Sequence, residues 1–150
     1  MSKIGVGVIT CDRMDMYHVC IESIKEAWCD ELVTIDDGKK EYVIAPKGEY
    51  IKTDGGIGVG KAKNAALKHL MDKGCDYVIL VEDDMKFSGN LFAEYVRAYK
   101  TTGIQHFMFA YHGPANKRGI SYGKPVPRLV FDYGPFDECR IALNQHCVGA

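Results

Sequence analysis

A short apolar run, Tyr77-Val78-Ile79-Leu80-Val81, leads without a break into three acids, Glu82, Asp83 and Asp84. The brevity and β-branched content of the run read as a strand buried on both faces. Three like charges at the tip of a core strand are costly unless a cation or hydrogen-bond donors meet them. Hard divalent ions such as Mg²⁺ or Mn²⁺ take oxygen ligands and keep positions open for phosphate oxygens. The same acids also read as an exposed turn closing a strand, and the surrounding sequence has to decide between the two.

With 150 residues the chain can bury a sizeable core, and it reads as one domain over residues 1–150. A net charge of −1 gives no bulk electrostatic case for nucleic acid or a membrane surface. The apolar run Ile4–Ile9 is too short to span a bilayer, and no cleavage site follows it. The six cysteines form no C-x-x-C pair and no zinc-type spacing. Free thiols in a reducing, cytoplasmic compartment are therefore expected.

In chain order, Ile4–Thr10 is expected as a strand, with Cys11-Asp12-Arg13 as the loop at its carboxyl end. Met14–Trp28 has the pattern of an amphipathic helix, with Val19, Ile24, Ala27 and Trp28 inward and Asp12 or Asp15 as its cap. Leu32–Ile35 is a second strand, ended by Asp36-Asp37-Gly38. Weaker extended segments at Tyr42–Ile44 and Tyr50–Thr53 precede a glycine-rich loop, Asp54–Gly60. A helix is expected from about Lys61 to Lys73, its inward residues being Ala62, Ala65, Ala66, Leu67, Leu70 and Met71 and its stop Gly74. Another follows at Phe87–Lys100, with Leu91, Tyr95, Val96 and Tyr99 as its stripe. Ile104–Tyr111 reads as a strand, His112–Pro127 as a long loop, and Leu129–Tyr133 with Ile141–Val148 as an antiparallel pair. The pattern is α/β, a mostly parallel sheet with flanking helices, ending abruptly inside an apolar run as a domain cut short would.

In open α/β sheets, ligands bind beyond the carboxyl ends of the strands. Thr10–Arg13, Asp36–Gly38 and Glu82–Asp84 all fall at such ends. The free N–H groups of the glycine loop and the helix start beside it suit an anion, with Lys61 and Lys63 at the same end. Carboxylates with a metal beside an anion-friendly helix start make a site for a nucleotide diphosphate. The span Gly55–Lys61 also fits the phosphate-loop pattern G-x-x-x-x-G-K of NTPases. Ala62 stands where that motif needs a hydroxyl, and the acidic strand follows too soon.

The order of these features resembles the nucleotide-sugar half of the GT-A glycosyltransferases, family 2 and its relatives. Ile4–Arg13 is similar to the first strand with a "T-x-x-R" ending, and Val33–Gly38 to the second with its "D-D-G" ending. Gly60–Leu67 resembles the "G-x-A-R-N" helix, with Lys63 in the Arg position, and Glu82-Asp83-Asp84 matches the D-x-D position in an E-D-D form. The E-D-D form, with Phe92 and Tyr95 downstream, is also similar to N-acetylglucosaminyltransferases acting on N-glycans. The resemblance covers roughly the first two thirds of the chain. It implies a Rossmann-like GT-A fold and a metal-dependent, hexosyltransferase-type transfer from a nucleotide sugar, UDP-linked in most of the family, to an acceptor hydroxyl.

That resemblance assigns Asp84 to the metal, Mn²⁺ or Mg²⁺, and Glu82 and Asp83 to the ribose and the metal's surroundings. It puts Asp36 and Asp37 at the nucleobase or ribose, Thr10 in the base pocket and Lys63 near the nucleotide. Lys61 joins them as a further donor-binding candidate. An inverting enzyme also needs a carboxylate to take the acceptor's proton, and Asp132, Asp137 and Glu138 are the candidates in the acceptor half. The acceptor itself (glycan, lipid, protein or nucleic acid) is not encoded in any motif. A non-catalytic sugar-nucleotide or glycan-binding module is the remaining alternative.

Overall fold

The structure, a computed structural model, describes residues 2–42 and 47–107 in full, and four short strand segments beyond them. The chain divides into two compact units, Met1–Ala93 and Glu94–Ala150. The first contains β1 (Ile4–Thr10), α1 (Met14–Ser23), a 3₁₀ turn (Glu26–Trp28), β2 (Glu31–Asp36), β3 (Glu49–Lys52), α2 (Val59–Asp72) and β4 (Tyr77–Glu82). Helix α3 (Leu91–Thr102) begins in this unit and runs into the second. Further on, β5 (Ile120–Ser121) pairs antiparallel with β6 (Lys124–Pro125), and β7 (Leu129–Phe131) with β8 (Ile141–Leu143).

The four strands of the first unit form one parallel sheet in the order β3-β2-β1-β4. Side chains alternate across it, so each strand feeds two cores. Val6, Val8 and Val81 join Tyr17, Cys20, Ile21 and Ile24 of the α1 segment, with Phe92 from the start of α3. Ile9, Val33 and Ile35 meet Ala62, Ala66 and Leu70 of α2 on the opposite face. The fold is α/β, with helices on both sides of a parallel sheet.

Strand β1 has no side chain at Gly5 or Gly7 on the α2 face. A Cβ at Gly7 would lie 2.9 Å from the Ala66 Cβ, and one at Gly5 2.7 Å from the Cys75 Sγ. Glycine weakens a strand, yet here it lets a helix come close enough to pack on the backbone.

Several expectations need correction. The predicted helix Met14–Trp28 stops at Ser23, because Ile24 turns extended and buries its side chain fully in the core. The Ser23 hydroxyl donates to the Cys20 carbonyl at 2.6 Å and accepts from the Phe87 N–H at 3.0 Å, which ties the helix end to the chain after β4. Its buried face is Tyr17, Cys20 and Ile21, with Ile24 buried just past its end, whereas Val19 is 52% exposed and Ala27 is exposed. Neither Asp12 nor Asp15 caps it.

Strand β4 is not buried on both faces: only Val81 is fully buried, and β1 is its one partner strand among the described residues. On the helices, Leu67 and Met71 of α2 are exposed, and Phe92 and Ala98 rather than the predicted stripe are the buried residues of α3. No strand forms over residues 104–107. No helix among the described residues is long and apolar enough to cross a membrane.

Candidate functional site

Parallel register sets Thr10 of β1 beside Asp36 of β2, Asp36 beside Lys52 of β3, and Ile9 beside Glu82 of β4. The acids at the carboxyl ends of β2 and β4 therefore flank the end of β1 along one edge of the sheet. Period-2 alternation then sends each acid to one face or the other. Asp36 and Asp83 turn to the α1 face, Asp37 and Glu82 to the α2 face.

Asp83 is almost wholly buried, and the Thr10 hydroxyl donates to its Oδ2 at 2.7 Å. The Arg13 guanidinium forms an ion pair with it from the loop after β1, through Nε and Nη2. Burial pushes the Asp83 carboxyl above its ordinary pKa, against the downward pull of Thr10 and Arg13. Asp36 is completely buried too. Its carboxylate accepts from the Lys52 ammonium at 2.8 Å, from the Gly38 N–H at 2.8 Å and from the Tyr50 hydroxyl. Each of these charges is matched by a cation from an adjacent strand or loop, as a buried carboxylate requires.

Asp37 is met differently. Its Oδ1 accepts from the Thr53 hydroxyl at 2.6 Å and the Ile57 N–H at 2.9 Å, and its Oδ2 from the Gly58 N–H at 2.8 Å. Its carbonyl takes the Gly56 N–H at 3.0 Å, and the Thr53 hydroxyl takes that of Gly55. Burial opposes the charge, but these donors outweigh it and hold the carboxyl below its ordinary pKa. The expectation that the loop's N–H groups are free for an outside anion is thereby corrected: those of residues 55–58 are taken up by Asp37 and Thr53.

On the same α2 face, Lys63 reaches Glu82 at 2.8 Å. Lys61 stands exposed on the first turn of α2. Asp84 is the outlying acid of the E-D-D run: its side chain is 50% exposed, and the contact is 3.9 Å from Arg13 Nη1. Asp12 adopts a positive φ of 53°, and its carboxylate takes the N–H groups of Lys39 and Lys40, joining the loops after β1 and β2. Asp132, Asp137 and Glu138 lie outside the described residues.

The sheet edge thus brings together Thr10, Asp36, Asp37, Glu82, Asp83 and Asp84, with Lys63 of α2. Sequence reasoning placed Arg13 in the cluster after β1 but gave it no partner, and it left Tyr50, Lys52 and Thr53, the other internal partners of the acids, out of the site. The signal available was that a buried carboxylate needs a partner, and the nearest cation on the next strand was Lys52. Among the described residues, every buried side-chain nitrogen or oxygen has a hydrogen-bond partner. No cluster of three or more His, Cys, Asp or Glu side chains is set to hold a metal among them either. Comparison with protein-family models, with characterised proteins and with solved structures finds no match.

Proposed function

We propose that this chain is a GT-A-type, metal-dependent glycosyltransferase domain that binds a nucleotide sugar, UDP-linked in the first instance, and transfers the sugar to an acceptor hydroxyl. One observation carries the reading. Asp84, the exposed acid of the run, stands just past the carboxyl end of β4, its carboxylate 3.9 Å from Arg13 Nη1 of the loop after β1, beside the buried Thr10–Asp83 pair. The order β3-β2-β1-β4 matches the first four strands of doubly wound nucleotide-binding sheets, whose ligands bind where the strand order reverses. Here that reversal falls between β1 and β4.

The donor set suits a hard cation. A half-exposed carboxylate is an oxygen ligand, and Mg²⁺ or Mn²⁺ is commonly held by one or two carboxylates with substrate phosphates and water completing the shell. Asp84 would hold it, and the ion would neutralise charge on the departing diphosphate. Around it, Asp83, itself held by the Thr10 hydroxyl, fixes the Arg13 guanidinium, whose exposed side adds positive charge to the same rim. Lys63 holds Glu82 at a fixed height on the other face. Asp132, Asp137 and Glu138 stay the candidates for taking the acceptor's proton.

The NTPase alternative is disfavoured by two features. The loop's N–H groups turn onto Asp37 rather than outward, and Ala62 is packed fully into the core under α2.

Thermal shift against nucleotides and nucleotide sugars, with and without Mn²⁺, tests the reading, because a ligand of the native state raises its melting temperature. UDP with Mn²⁺ is expected to stabilise the protein. The Asp84→Ala variant is expected to keep its own melting temperature and to lose the metal-dependent shift, its UDP affinity falling about a hundredfold or more. Unchanged affinity in that variant would remove the metal from the proposal. Tight UDP binding with neither transfer nor donor hydrolysis would make the chain a binding module.

A further inference from the structure

The glycine loop is expensive to hold in one conformation. Gly55, Gly56 and Gly58 have φ of +81°, +77° and +90°, a region other residues avoid and from which a free glycine chain readily departs. Helix α2 starts at the end of this loop, and its N-cap, Gly58, offers no side chain to satisfy the first turn. A helix start without a cap is stabilised by a nearby anion. Asp37 supplies one from a different element. Its N–H is bound to the Thr10 carbonyl at 2.9 Å, so the base of the anchor is part of the sheet.

Three donors occupy its carboxylate, out of roughly four acceptor positions. The residue is only 5% exposed, which leaves little to present to a nucleobase. Among the described residues no Lys, Arg or His forms an ion pair with it, unlike Asp36 and Asp83. Among the described residues its carboxylate is met by the Thr53 hydroxyl and by the N–H groups at the end of the glycine loop, where α2 begins.

We propose that Asp37 is a positioning residue rather than a donor contact: it is a built-in anion that holds the glycine loop and the first turn of α2 against the carboxyl edge of the sheet. Lys61 rides on that turn and Lys63 just beyond it, and Lys63 holds Glu82, so Asp37 sets the α2 side of the site. This site role rests on the nucleotide-sugar reading above, whereas the anchoring itself does not.

Hydrogen exchange at the Ile57 and Gly58 amides, together with titration of UDP in the presence of Mn²⁺, tests the proposal. Two variants are used. Asp37→Asn keeps the shape but sets an NH₂ group against an N–H donor. Thr53→Val removes one donor to Asp37, and the acceptor of the Gly55 N–H with it, without altering any candidate ligand contact. Exchange at the two amides is expected to speed up by about tenfold or more in Asp37→Asn and by less in Thr53→Val, while Val6 and Val8 of β1 keep their protection. UDP affinity is expected to fall in the same order, by about tenfold in Asp37→Asn.

Native exchange at both amides in Asp37→Asn overturns the anchor. Faster exchange with unchanged UDP affinity overturns the positioning role. Lost affinity in Asp37→Asn with a quiet loop means that Asp37 touches the ligand itself, which also overturns it. A native protein that binds no UDP sinks the donor reading and the site role with it, and the exchange data still decide the anchor. If Asp37→Asn does not fold, Thr53→Val supports the same comparison.

Discussion

Two strand ends, those of β2 and β4, each carry consecutive acids, and the protein stabilises them by opposite means. At the end of β4, Asp83 is buried against a formal cation, Arg13, and the partly exposed Glu82 is paired with another, Lys63. At the end of β2, Asp36 follows that pattern with Lys52, but Asp37 is met by a hydroxyl and main-chain N–H groups. The pKa directions record the contrast: Asp83 is raised by burial, and Asp37 is lowered by its hydrogen bonds in spite of burial. Ion pairing fixes a side chain on another side chain. Binding to main-chain donors fixes a loop.

The largest expected effect separates the two modes directly. Arg13→Ala leaves a buried carboxylate without its cation and should cost about 2–3 kcal/mol in urea denaturation. Adding Asp83→Asn to it should recover part of that loss, because the unpaired charge goes too. A loss under about 0.5 kcal/mol in the single variant would break the ion-pair account of the β4 end.

Acid titration gives a smaller but sharper effect. The fold holds the Asp37 carboxyl below its unfolded value, so its contribution is present above about pH 4 and lost as pH falls through the folded value. The native protein should therefore lose stability below about pH 4, and Asp37→Asn should flatten that limb when unfolding is followed by circular dichroism. An identical limb in the variant would place the acid sensitivity elsewhere. The smallest effect is expected for Lys63→Ala, whose partner Glu82 is partly exposed. A loss of about 0.5–1 kcal/mol should be seen, shrinking at high salt.

Much of the architecture was legible in advance. Strand β1 runs over the residues expected, and β2, β4 and α2 differ from expectation by a residue or two at their ends, because each has a clean period and a turn residue at its boundary. Helix α1 was overextended because its pattern continues to Trp28, while the break at Ile24 comes from the pull of the core on one branched side chain. Tyr17 was missed on that helix: its ring is buried and its hydroxyl meets Thr34 Oγ1 at 3.1 Å, a cross-element contact with no local signature. The acids themselves were found, but not their employment. Counting alternation one step past the ends of β2 and β4 would have parted Asp36 from Asp37 and Glu82 from Asp83. What a carboxylate binds once it faces a given side depends on loops from elsewhere in the chain, and strand periodicity carries none of that.

The bare stretch of β1 at Gly5 and Gly7 has a mechanical consequence. With Ala66 and Leu70 resting directly on the strand's backbone, no cushion of side chains lets α2 slide or tilt. Helix and sheet behave as one stiff plate, so any movement at this edge falls to the loops at the plate's margin.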